Sequence, residues 1–193
     1  SRPLAVICLA AGRGTRTKVS TPKVLLPLCG RSLVATVLDA VDELKPDRTV
    51  VVLHHEMARV QDSLADRKGI VTVDQGEPRG TGHAVQVGMA QLEDFDGDVL
   101  VCYGDMPLVR TETYEALRIA RGEDSAAILT AFPDDPTGLG LILRSEIGDL
   151  VGVREERDCD ESEAQIDEIN VGIYCYDAKR LRPALARLDD NNA

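Results

Sequence analysis

An α/β fold is what this 193-residue sequence predicts: a mostly parallel central sheet with helices on both faces, followed by a smaller mixed or antiparallel portion. Three observations predict it. Short apolar runs, as at 4–10, 48–54 and 98–105, are nearly continuous rather than alternating. Such strands bury both faces, as the strands of a covered parallel sheet do. Between them lie segments whose apolar residues recur every three or four positions, the helical period. From residue 125 onward the runs become strand-like, with glycines and acidic turns between them.

Taken in order, residues 4–10 (LAVICLA) read as a buried strand leading into a glycine loop. A helix over 31–44 carries Leu33, Val34, Val37, Leu38, Val41 and Leu44 on one stripe. A strand at 48–54 and a helix at 55–66 follow, then a strand at 69–74. The turn Gly80-Thr81-Gly82 opens a helix over 82–92, and 98–105 (DVLVCYGD) is the next buried strand. Thr111 is a candidate N-cap for a helix over 110–120. Four strand-like runs then lie at 126–132, 139–145, 149–156 and 169–177, and the acidic stretch 157–165 reads as a solvated loop. No repeat or long linker interrupts the chain, so 1–193 is expected to be one domain, divided near residue 124.

Composition narrows the function. Apolar residues make up 44% and aromatics 3%, so Val, Ile, Leu and Ala must fill the core. No apolar run is long enough to span a membrane. The first residues lack a secretory signal pattern, and a start other than Met is expected to reflect processing or trimming. Cys8, Cys102 and Cys175 sit in apolar runs and no C-x-x-C occurs, which predicts reduced, buried thiols in a cytoplasmic protein. His54, His55 and His83 have no cysteine at ligand spacing, so zinc is not expected. His54 and His55 should point to opposite sides of a strand end.

The formal charge is −11, yet residues 1–38 hold six Lys or Arg and no Asp or Glu. The other 155 residues hold sixteen basic and 33 acidic side chains. A nucleic-acid binder usually presents a basic face, and this chain does not. One basic loop in an acidic body suits a compact anion such as a phosphate chain. The loop, residues 10–25 (AAGRGTRTKVSTPKVL), combines Gly12 and Gly14 with Arg13, Arg16, Lys18 and Lys23. Glycines after a strand let an anion approach backbone N–H groups, although a plain tight turn would use them too. Arg16 and Lys23 favour the phosphate reading, because a turn does not need them. The P-loop string G-x-x-x-x-G-K-[ST] is missing. The dinucleotide fingerprint also fails, with Thr17 in its third small position and histidines where its acid belongs. Residues 12–16 and Gly104-Asp105 both lie at carboxyl ends of predicted strands, where ligands of such sheets bind.

The string Leu9-Ala-Ala-Gly-Arg-Gly-Thr-Arg16, followed by Pro22-Lys23-Val24-Leu25, resembles the signature of sugar-nucleotide pyrophosphorylases. Further blocks, GTGHAV at 80–85, YGDMPL at 103–108, DDPTGLG at 134–140, EINVGIY at 168–174 and NNA at 191–193, stand in the order seen in the bacterial bifunctional N-acetylglucosamine-1-phosphate uridyltransferases. The resemblance covers essentially the whole chain. It implies a Rossmann-like nucleotidyltransferase fold, with 1–124 as nucleotide-binding and 125–193 as sugar-binding portions. It further implies that UTP and N-acetylglucosamine 1-phosphate are the substrates and Mg²⁺ the cofactor. By the same resemblance, the backbone of Ala10, Ala11, Gly12 and Gly14 holds the nucleotide, and Arg16 and Lys23 neutralise its phosphates. Gln75, Gly80 and Thr81 read the uracil; Tyr103 and Gly104 line the ribose and sugar side; Asp105 holds the metal; Gly140, Glu155 and Asn170 grip the amino sugar. Gln carries both donor and acceptor, which suits a pyrimidine edge without excluding thymidine nucleotides. Asn170, if buried, needs a hydrogen-bond partner in any case. His83 reads as a helix-start residue, not a base.

The sequence departs from the family at Leu139, Leu141, Thr17 and Leu26, where Tyr, Arg, Met and His are usual; Leu141 would weaken an anion contact or alter a rim contact. In the family the catalytic domain continues past residue 193 to a second metal ligand and an acetyltransferase domain, through which any oligomer would form. A related specificity, or a non-catalytic nucleotide-binding module on the same fold, stays open at this point.

Overall fold

The computed structural model describes residues 2–12 and 21–188. The chain forms two compact units, Ser1–Ala127 together with Tyr174–Ala193, and Ile128–Ile173.

The first unit begins with β1 (Leu4–Leu9) and continues, from residue 21, through a short 3-10 turn (Lys23–Leu25) and a small hairpin of β2 (Pro27–Leu28) and β3 (Arg31–Ser32). Then come α1 (Leu33–Asp42), β4 (Arg48–Leu53), α2 (Met57–Ser63), β5 (Ile70–Asp74), α3 (Thr81–Ala90), β6 (Asp98–Tyr103) and α4 (Thr111–Arg121). The strands lie in the order β5-β4-β1-β6, all parallel. Beyond β6, residues 174–177 of β10 (Ile169–Asp177) pair antiparallel, and α5 (Ala178–Leu185) follows.

Strand periodicity sorts the core. Ile7 pairs with Val50 and Val101, and these, with Leu9 and Val52, face the apolar side of α3 and α5, including Val85, Met89 and Leu181. The alternate residues, including Cys8 and Cys102, point to the opposite face. There α1 buries Val34, Val37, Leu38 and Val41 at i, i+3, i+4 and i+7 and packs against α4. Ser32 caps α1, its hydroxyl accepting from Ala35 N at 3.3 Å.

Two local details differ from the sequence reading. Thr111 is the first residue of α4, not its cap; its hydroxyl lies 2.9 Å from both Ala40 O and Glu43 Oε2 of the α1 region. The sequence reading assigned no element beyond residue 177, where α5 runs with Pro183 inside it. The helix forms because Asp177 caps it through Arg180 N at 3.0 Å and because Ala178 and Leu181 are buried.

In the second unit, β8 (Gly140–Arg144) and β9 (Leu150–Glu155) form an antiparallel hairpin, and Ile169 of β10 pairs with Leu141. The strand β7 (Ala126–Ala131) pairs with β10, and the chain passes between the units along these two strands. Leu141 is 1% exposed and Ile142 lies beside it equally buried. The departure at 141 therefore puts an apolar side chain into this unit's core, where an unpaired cation would be costly, and not at a rim.

Candidate active site

Four parallel strands end at one rim. Leu9 is in register with Val52 and Tyr103, and Leu53 with Asp74. The residues just beyond, Ala10 to Gly12, His54, Gln75 and Gly104-Asp105, therefore emerge side by side. Most of the sequence-predicted nucleotide residues lie at this rim.

Lys23 and Asp105 meet there. Lys23 Nζ donates to Asp105 Oδ2 at 2.6 Å, with the two side chains 44% and 27% exposed. Lys23 opens the 3-10 turn, which is fixed by Val24, 4% exposed, and packs against α1 and α2. Asp105 follows Gly104, whose N–H donates to Leu9 O at 2.9 Å. A Cβ on Gly104 would stand 3.2 Å from Ala10 Cβ and 3.3 Å from Val34 Cγ2. A side chain there would crowd the ends of β1 and β6, a packing reason for glycine beside any ligand role.

Ala10 closes the end of β1 against β4. Its N–H donates to Val52 O at 2.8 Å. Ala11 and Gly12 continue outward from the sheet. Gly14 and Arg16, like Arg13, Lys18 and the 191–193 block, lie outside the described residues.

Gln75 is 6% exposed and continues the line of β5. Its Nε2 donates to Gly80 O at 3.1 Å and lies 3.4 Å from His83 Nδ1. The side chain therefore holds the entrance to α3 in place, a task the sequence did not reveal. Gly80 sits at φ +92°, which a side chain would strain, and caps α3 without a side-chain bond. The first amides of α3, including that of exposed Thr81, carry the positive end of the helix dipole. Beside Gln75, Asp74 accepts from Gly76 N at 2.9 Å and approaches His54 Nδ1 at 3.4 Å. The Gly76 amide, then His54, hold the Asp74 carboxyl below its usual range. The string Asp74-Gln75-Gly76 carried the signal for this turn, an Asx-type bend.

Gly140, Glu155 and Asn170 come together in the second unit. Gly140 pairs with Glu155 across the hairpin. A Cβ on Gly140 would lie 3.8 Å from both Asn170 Cβ and Glu155 Oε1. Asn170 Oδ1 accepts from Gly172 N at 2.8 Å, so part of its polarity serves the local backbone. Asp135 likewise serves a bend, accepting from Thr137 N at 3.0 Å.

Asp105 offers a hard, partly exposed oxygen, which suits a divalent cation of the Mg²⁺ type. Among the described residues no group of three or more His, Cys, Asp or Glu is placed to hold a metal. A cation at Asp105 would therefore take most of its oxygens from water and phosphate. Among the described residues no helix is long and apolar enough to cross a membrane.

The MobA-like NTP transferase domain matches residues 6–193. Bifunctional protein GlmU of Bifidobacterium adolescentis is 42% identical over 98% of this chain, and that of Mycobacterium bovis 43% over 98%. The chain spans 42% and 40% of those proteins' lengths. Among solved structures, a putative glucose-1-phosphate thymidylyltransferase from Bacillus anthracis superposes with TM-score 0.75 at 18% identity, covering 96% of this chain and 79% of its own. HddC from Yersinia pseudotuberculosis, complexed with GMP-PN, gives TM-score 0.69 at 19% identity, covering 91% and 77%. These two share the fold. With a family match from the first strand onward and a rim of this composition, the chain belongs to the MobA-like NTP transferase domain family and is a nucleotidyltransferase domain akin to the pyrophosphorylase part of GlmU.

Proposed function

We propose that this domain transfers a uridylyl group from UTP to N-acetylglucosamine 1-phosphate, giving UDP-N-acetylglucosamine and pyrophosphate. The observation that carries this reading is the cation and carboxylate, Lys23 and Asp105, brought together where β1 and β6 end. A sugar-phosphate oxygen attacks the α-phosphorus in line. The bond from that phosphorus to the bridging oxygen of the departing pyrophosphate breaks. Both reactants are anions, so the protein's work is to position them and neutralise charge. Lys23 neutralises the phosphates, joined by Arg16. A divalent cation held by Asp105, Mg²⁺ in this reading, supplies further charge neutralisation when bound. No residue needs to remove a proton from a phosphate nucleophile, which agrees with His83 turned toward Gln75.

The base belongs to Gln75 and the Gly80–Thr81 entrance of α3, with Ala11, Gly12 and Gly14 along the nucleotide. Tyr103 and Gly104 line the ribose and sugar side, and the cluster of Gly140, Glu155 and Asn170 takes the amino sugar. A strongly acidic chain using UTP, with Cys8, Cys102 and Cys175 buried, suits the cytoplasm and not a nucleic-acid surface.

Pyrophosphate release tests the reading, with UTP or dTTP as nucleotide and N-acetylglucosamine 1-phosphate or glucose 1-phosphate as acceptor. The expected result is fastest release from UTP with N-acetylglucosamine 1-phosphate. Faster release from dTTP with glucose 1-phosphate would replace it by a sibling specificity. UTP binding without release from any pair would leave a nucleotide-binding module.

A further inference from the structure

Lys23 and Asp105 are assigned above to different ligands, one to phosphate and the other to a cation. Yet they touch each other at 2.6 Å. Each ligand must therefore share or displace the other residue's partner. We propose that the Lys23–Asp105 ion pair is a charge latch that makes the site selective for a metal-bound triphosphate over either the bare metal ion or the bare triphosphate. This rests on the uridylyltransferase reading.

The electrostatics follow from the pair. A bare triphosphate that draws Lys23 away meets the Asp105 carboxylate as a like charge. A bare cation that takes Asp105 meets the Lys23 ammonium as a like charge. When both arrive together, each released residue finds an opposite charge, and the site loses neither interaction. Coupling of this kind is reciprocal: the metal strengthens triphosphate binding by the factor by which the triphosphate strengthens metal binding.

The local structure suits such an exchange. Both side chains are partly exposed, and exposed ion pairs of this kind hold weakly. Asp105 is attached to a fixed backbone, because Gly104 is bonded to Leu9 and packed on Ala10 and Val34. Lys23 carries its ammonium on a long unbranched stem from a single turn anchored by Val24. The lysine is therefore the part that swings. Arg144 and Glu168, by contrast, are joined by two parallel bonds of 2.7 Å, and a planar fork of that kind does not let go one contact at a time.

Two isosteric variants test the latch by binding alone. In EDTA, Asp105→Asn removes the like charge while keeping the shape. It should bind metal-free UTP more tightly than the wild-type chain, by at least about fivefold, the low end of ordinary coupling. With Mg²⁺ present the order should reverse, because the variant cannot gain from the metal. Lys23→Met should bind Mn²⁺ alone more tightly than wild type by a similar factor, read from the resonance of free Mn²⁺. Asp105→Asn binding metal-free UTP no better than wild type, or Lys23→Met holding Mn²⁺ no better, overturns the latch. If the wild-type chain binds no UTP in either buffer, the uridylyltransferase reading fails instead, and the Mn²⁺ comparison still decides the latch.

Discussion

Lys23 has one ammonium group and faces a carboxylate at 2.6 Å, so in the proposed reaction it must give that partner up for phosphate. Lys23→Ala should lower kcat/KM by about 30- to 1,000-fold, or roughly 2–4 kcal/mol, the range for losing one preorganised electrostatic contact. Pyrophosphate release under subsaturating UTP measures this, and unchanged turnover would remove Lys23 from the chemistry. Gln75 donates from its amide to Gly80 O at 3.1 Å, and in the proposed function it also reads the base. Gln75→Ala should weaken UTP by about tenfold, close to one hydrogen bond with its partner left buried. Inorganic triphosphate should lose less; equal losses by calorimetry would confine Gln75 to shaping the turn. Much of this rim was legible as residue types: the loop's cations stood out against an acidic chain, and Asp105 followed an apolar run. Their pairing was not legible, because 82 residues of chain separate the two and strand order decides whether they meet.

At the scale of elements, the parallel strands were legible because they are uniformly apolar, and α1 because its stripe has the helical period. Details that were misread or left unassigned owe their form to partners distant in sequence. Thr111 is drawn to Ala40 and Glu43, and α5 depends on burial against the sheet in spite of Pro183. The second unit has its own long-range tie: the Arg144 fork holds Glu168 through two bonds of 2.7 Å, one from β8 to the start of the β10 segment. That guanidinium keeps the Glu168 carboxyl below its ordinary value. A depressed carboxyl contributes stability above the unfolded-state value, about 4.3, and loses it as pH falls through the lower folded value. Arg144→Met should therefore cost about 1 kcal/mol at pH 7, a charge-assisted bond discounted for an arginine side chain that is 44% exposed. It should also flatten the acid limb of the stability profile below about pH 5. Urea titrations at several pH values check this; a parallel offset between the two proteins at every pH would mean that the pair carries no linked charge.

Across the whole of the first unit, β6 joins two kinds of electrostatics. At its amino end Asp98, 4% exposed, lies 3.0 Å from Arg118 Nε and 3.0 Å from Arg121 Nη2, with Arg2 Nε at 3.5 Å. Arg2 also donates to Asp177 at 2.7 Å, and Arg121 is only 2% exposed. This is a buried ionic cluster that joins the first residues, α4 and the end of β10. Just past the carboxyl end of the same strand, about 20 Å away at strand rise, Asp105 stands in a partly exposed pair. Burial makes the first cluster costly to break, since loss of Asp98 leaves a buried guanidinium without its counter-charge. Exposure makes the second cheap to open, and a ligand site has to be opened. Asp98→Ala should thus destabilise the chain by about 3–5 kcal/mol, a large part of an ordinary domain's stability, while the folded fraction keeps wild-type UTP affinity. Asp105→Asn should change stability by less than about 1 kcal/mol and shift metal-dependent UTP binding instead. Denaturant midpoints and UTP titrations on both variants, taken together, decide it. Comparable stability losses in the two, or a UTP defect in folded Asp98→Ala, would show that the poles of β6 do not divide structure from function.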